Sequence, residues 1–73
     1  MIELRFHRDL YAGTAIDAAL VRLSGYAAFE RAVDGEHFVV KVLGDDDKRV
    51  RKVARELGNF ALGLTVEKGG PDR

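Results

Sequence analysis

The sequence predicts a small α+β domain of ferredoxin-like order, β-α-β-β-α, with two helices on one face of a mainly antiparallel sheet. Three observations carry this. Ile2, Leu4 and Phe6 alternate with Glu3, Arg5 and His7, the period of a strand with one face toward a core. An Asp34-Gly35 dipeptide stands between two runs rich in β-branched and aromatic residues, a hairpin signal. Residues 45–66 form a long amphipathic segment in which Val50, Val53, Ala54, Leu57, Ala61 and Leu64 recur at helical spacing.

The alternating start is the first strand. Thr14 then stands at an expected helix N-cap, with Asp17 three residues on to complete a capping box. Ile16, Ala19, Leu20 and Leu23 are the apolar stripe of this first helix, Asp17 and Arg22 its wet side, and Gly25 the expected left-handed residue that closes it. If Asp34-Gly35 is the turn, Val33 pairs with Glu36, Phe29 with Val40 and Arg31 with Phe38. Phe29, Val33, Phe38, Val40 and Val42 then share the core face, and Ala28, Glu30, Ala32, His37, Val39 and Lys41 the open one. Gly44 breaks the third strand, and the connection rules place that strand between the first two. Asp45, Asp46 and Asp47 cap the second helix, where carboxylates meet unsatisfied amides, and Lys48, Arg49, Arg51 and Lys52 can pair with them. Gly58 costs that helix about 1 kcal/mol relative to alanine, so close packing or a bend is expected there. The helix is expected to end near Leu62, leaving residues 64–67 as an optional short fourth strand; the alternative carries it to Lys68. One domain spans residues 1–68, and residues 69–73 read as a disordered tail.

The chain has 73 residues, 12 basic and 12 acidic side chains and no cysteine. A domain this small buries only about 60% of the surface its unfolded chain exposes, so self-pairing to a homodimer is an expected source of stability. The absence of cysteine excludes disulfides and zinc-thiolate sites and fits a cytoplasmic setting. No apolar run approaches the ~20 residues that span a bilayer, so no membrane partner is expected. Balanced charge gives no global pull toward nucleic acid.

No catalytic grouping can be assembled: there is no Ser-His-Asp set, no phosphate-binding glycine loop and no room for a sizeable pocket. The expectation is a non-enzyme without a cofactor. The three aspartates lack the spacing of a calcium loop, so helix capping accounts for them and no metal is expected. His7 and His37 should be neighbours on the open face, a pair that without a third ligand is a polar surface. The basic side of the second helix supplies the candidate partner-binding residues Arg51, Lys52, Arg55 and Asn59. Residues 28–33 should form a sheet edge able to take an extended peptide, with Glu30 and Ala32 as candidate peptide-edge residues.

Leu10-Tyr11 ahead of Ala15-Ile16-Asp17-Ala18-Ala19, the Asp34-Gly35 hairpin and Glu56-Leu57-Gly58-Asn59-Phe60-Ala61-Leu62 together resemble HxsD, the small protein of the His-Xaa-Ser peptide-modification system. The likeness covers most of the chain. The family's C-terminal signature reads Leu-Leu-Asn-Asp-Tyr-x-Leu-Arg-Glu; this chain keeps Leu57, an aromatic at Phe60 and Leu62. It has Gly58-Asn59 for the Asn-Asp pair and Gly63-Leu64 for Arg-Glu. The resemblance implies a nonenzymatic accessory working beside radical SAM enzymes that modify a repeat peptide. The chain also resembles, more loosely across residues 51–60, the small dimerising subunit of the KEOPS tRNA-modification complex, which implies docking to a kinase-like enzyme and Arg51, Lys52 and Arg55 near RNA phosphate. A generic small interaction module is the third alternative.

Overall fold

A computed structural model describes residues 1–71. The elements run β1 (Ile2–His7), α1 (Gly13–Leu23), β2 (Ala28–Asp34), β3 (His37–Leu43) and α2 (Asp47–Glu67). All pairing is antiparallel in the order β1-β3-β2, with the third strand central as expected. The core joins Phe6, Val40 and Val42 of the sheet to Ile16, Ala19 and Leu23 of α1 and to Val50, Val53, Ala54, Leu57 and Ala61 of α2.

The hairpin register differs from expectation by two residues. Asp34 pairs with His37, Val33 with Phe38, Arg31 with Val40 and Phe29 with Val42, so the two-residue loop is Gly35-Glu36. Gly35 takes φ +59° at the first loop position, the place where a type II′ turn demands glycine. A shift of two preserves every side chain's face, which is why the predicted core face survives it. Burial does not fully follow. α2 packs on β1 and β3, and α1 packs on α2, whereas the principal contacts of β2 are with β3. Val33, on the helical side of the sheet, is therefore 60% exposed, and β2 projects past the helical roof.

α1 begins one residue before the expected cap. Ala12 is its N-cap residue and makes no side-chain cap bond, Thr14 lies inside the first turn, and Asp17 bonds Arg31 of β2 at 2.6 Å instead of closing a capping box. Gly13 explains the earlier start: a Cβ there would lie 3.1 Å from the Phe38 ring and 3.3 Å from the Arg31 guanidinium, so glycine lets the helix enter against β3. Gly25 is not left-handed. Ser24 closes α1 in helical geometry, and Tyr26 N–H donates to the Leu23 carbonyl at 3.0 Å. Arg22 is not simply wet, because its guanidinium lies 5.6 Å over the Phe60 ring and joins the two helices.

α2 is capped as expected by Asp46, whose carboxylate accepts from the amides of Lys48 and Arg49. It does not stop at Leu62 and forms no fourth strand with residues 64–67. The helix runs to Glu67 because the side chain of Thr65 is needed inside: its Oγ1 donates to the Ala61 carbonyl at 2.7 Å and accepts the Ala12 N–H at 3.1 Å. Gly69 N–H donates to the Val66 carbonyl and Gly70 N–H to the Thr65 carbonyl, with Gly69 at φ +88°, a Schellman closure. Residues 69 and 70 thus end a helix where a disordered tail was expected, and residues 72 and 73 of that tail lie outside the described residues.

Among the described residues, no atom beyond its chain neighbours and the nearby helix backbone lies within 4 Å of a Cβ placed at Gly58, so close packing does not account for it. Gly58→Ala is expected to stabilise the domain by up to about 1 kcal/mol, read as a higher urea midpoint with an unchanged m-value.

Candidate functional site

Two surfaces present the candidate residues. The first is β2 with the uncovered sheet face. A two-residue loop makes Asp34 and His37 exchange both backbone bonds, so alternate residues from there, Ala32, Glu30 and Ala28, also turn their amides toward β3. Phe29, Arg31 and Val33 therefore direct their backbone groups to the free edge. Glu30 and Ala32 are exposed and point side chains to the open face, opposite Lys41 and Val39, but the edge donors belong to their neighbours.

Charge crosses this open face. The Arg5 guanidinium on β1 spans β3 to reach Asp34 on β2 at 2.8 Å, shielding Val39, which is only 7% exposed on an otherwise uncovered face. The hydrogen bond and charge of Arg5 hold the Asp34 carboxyl below its ordinary value, and Asp34 in turn raises Arg5. A carboxylate with a lowered folded pKa stabilises above its unfolded value and loses that contribution as pH falls through the folded one. In acid titrations followed by thermal melting, the wild-type advantage over Asp34→Asn is expected to shrink as pH falls from about 5 to about 3.

His7 and His37 are cross-strand partners as expected, with ring centroids 4.9 Å apart and an edge-to-face angle of 79°. His7 Nδ1 accepts the Asp9 N–H at 3.1 Å, which leaves Nε2 to carry the proton of the neutral ring, 3.4 Å from the Glu36 carboxylate. Among the described residues, no group of three or more His, Asp or Glu is placed to hold a metal ion.

The second surface is the outer side of α2. Arg51, Lys52, Arg55 and Asn59 are all exposed. Lys48, Arg51, Lys52 and Arg55 together line a shallow depression of about 380 Å³ with no acidic residue in its wall. The expected pairing with the aspartates does not occur: among the described residues the ion pairs involve Arg5, His7 and Arg31, and none of these helical bases. Asp46 instead accepts the backbone amides of Lys48 and Arg49. Leu57 and Leu62, both part of the C-terminal likeness, part company here. Five residues of helix turn them about 140° apart, so Leu57 is fully buried and Leu62 is 50% exposed.

Sequence reading missed Thr65 and the Arg31–Asp17 bond. A threonine among Leu64, Val66 and Glu67 reads as strand, and the Gly69-Gly70 pair, which signals a helix end, was the available cue. Among the described residues, no helix is long and apolar enough to cross a membrane. Comparison with known protein families, curated proteins and solved structures finds no match.

Proposed function

We propose that this chain is a nonenzymatic, cytoplasmic accessory of a radical SAM peptide-maturation system, and that it holds the precursor peptide as an added strand along β2. The observation that carries this reading is the position of β2. It is an edge strand that reaches past the helical layer at Val33, and the backbone groups of Phe29, Arg31 and Val33 face outward. Main-chain bonds would supply affinity, and Glu30 and Ala32, with their side chains on the open face, would bias which peptide is taken. A homodimer fits this reading if it leaves the β2 edge and the open-face side chains of Glu30 and Ala32 uncovered. The chemistry belongs to the partner enzymes, and this chain contributes no catalytic residue or cofactor.

Val33→Pro tests it. Proline there removes an outward donor and no bond to β3, a placement that edge strands tolerate. Binding of a synthetic His-Xaa-Ser repeat peptide, followed by fluorescence anisotropy, is expected to weaken at least about tenfold, the loss of 1.4 kcal/mol, while circular dichroism is unchanged. Ala32→Pro should also abolish binding, but by breaking the β2–β3 ladder. A folded Val33→Pro variant that binds the repeat peptide normally rules out the edge.

The unneutralised depression of Lys48, Arg51, Lys52 and Arg55 is the one feature that favours the second reading, a small dimerising subunit of a KEOPS-like tRNA-modification complex. That reading expects tRNA affinity to fall steeply with salt.

A further inference from the structure

The outward side of α2 changes character along its length. Lys48, Lys52 and Arg55 occupy the first half, with no ion-pair partner among the described residues. Leu62 and Val66 continue the same side in the second half, 50% and 69% exposed. From Lys48 to Val66 the stripe is about 27 Å long. We infer that it docks a partner protein whose surface carries carboxylates at one end and apolar side chains at the other. This deepens the accessory reading above, on which it rests, by naming the chemistry of the α2 partner.

Charge decides among the occupants. A second copy related by a two-fold axis cannot satisfy the stripe. Antiparallel α2 helices would set lysine and arginine against leucine and valine, and parallel ones would set base against base. Asp46 and Glu56 border the basic half beside Lys48 and Lys52 but lie off the stripe, which itself holds no acid to relieve either arrangement. A nucleic acid would meet the basic half through phosphate, but Leu62 and Val66 are aliphatic and offer no ring on which bases could stack. An acidic, partly apolar protein surface matches both halves, since exposed aliphatic residues bordered by charge are typical of protein contacts. The charged half would set encounter rate and orientation, and the aliphatic half would set residence time.

The test places p-benzoylphenylalanine at position 62, or at position 18 on the outer side of α1 as a control, in the full chain in its native cells. Irradiation is expected to join position 62, and not position 18, to one protein, at a segment containing Asp or Glu. That protein, purified, is expected to bind the wild type at least about tenfold more tightly than the Lys52→Glu/Arg55→Glu variant and to bind Leu62→Asp as poorly, with both variants folded. Self-adducts, nuclease-sensitive adducts, no adduct, or a protein adduct indifferent to charge reversal would each overturn the inference. Repeat-peptide binding at β2 is measured on the same variants, so a failure of the α2 surface is distinguishable from a failure of the edge.

Discussion

Leu57→Ala is expected to lower the stability of the domain by about 2–5 kcal/mol. Leu57 is fully buried at the centre of the inward side of α2, within the cluster that joins both helices to β1 and β3. Its truncation removes transfer free energy and leaves a cavity that a two-layer domain cannot collapse without moving a helix. The loss is comparable with the whole stability of a chain this size, of the order of 5 kcal/mol. The variant should therefore be partly unfolded at ambient temperature, seen as a lost cooperative transition in urea. Leu57→Met, which conserves volume, should cost less than about 1.5 kcal/mol. A Leu57→Ala protein with a near wild-type midpoint would refute the packing of α2 described above.

Thr65→Val should cost about 1–3 kcal/mol although it conserves shape. The substitution removes the acceptor of the Ala12 N–H, a buried backbone donor at the start of α1, and leaves it without a partner. Thr65→Ser keeps that bond and loses one methyl, about 0.8 kcal/mol. The order wild type, Ser, Val in thermal midpoint, with faster exchange of the Ala12 amide in the Val variant alone, is the expected result. Equal midpoints for Val and wild type would remove the fastening role assigned to the hydroxyl.

These two residues show what the sequence could and could not disclose. Leu57 is legible because helical periodicity reports burial directly: it falls with Val50, Val53, Ala54 and Ala61 on one side of α2. The strand order, the Asp46 cap and the His7–His37 pairing were legible for the same kind of local reason, alternation, capping chemistry and topological rule. Thr65 was not, because its task is set by a residue 53 positions earlier in the chain. The hairpin register differs by two from the expected one because Asp-Gly and Gly-Glu are both acceptable loops, and face parity cannot separate registers two apart. Alternation places Val33 on the core side because it reports which side a residue faces and says nothing about how far the helices extend over the sheet. At the candidate site, the exposure of Arg51, Lys52, Arg55 and Asn59 follows from helical spacing, but the absence of ion pairs between these bases and the neighbouring aspartates depends on three-dimensional placement.

The placement of β2 also bears on how the molecule opens. Since β2 is joined to the remainder chiefly by its ladder with β3, by the Arg31–Asp17 and Arg5–Asp34 ion pairs and by the half-buried Phe29, it can detach with little disturbance to the packing of α2 on β1 and β3. Hydrogen exchange should therefore resolve two cooperative units. The amides that β2 directs to β3 should open at a free energy well below the global value, while those joining β3 to β1 should approach it. A strand that comes and goes on its own lets a guest strand be admitted or released at an energetic cost smaller than unfolding the host.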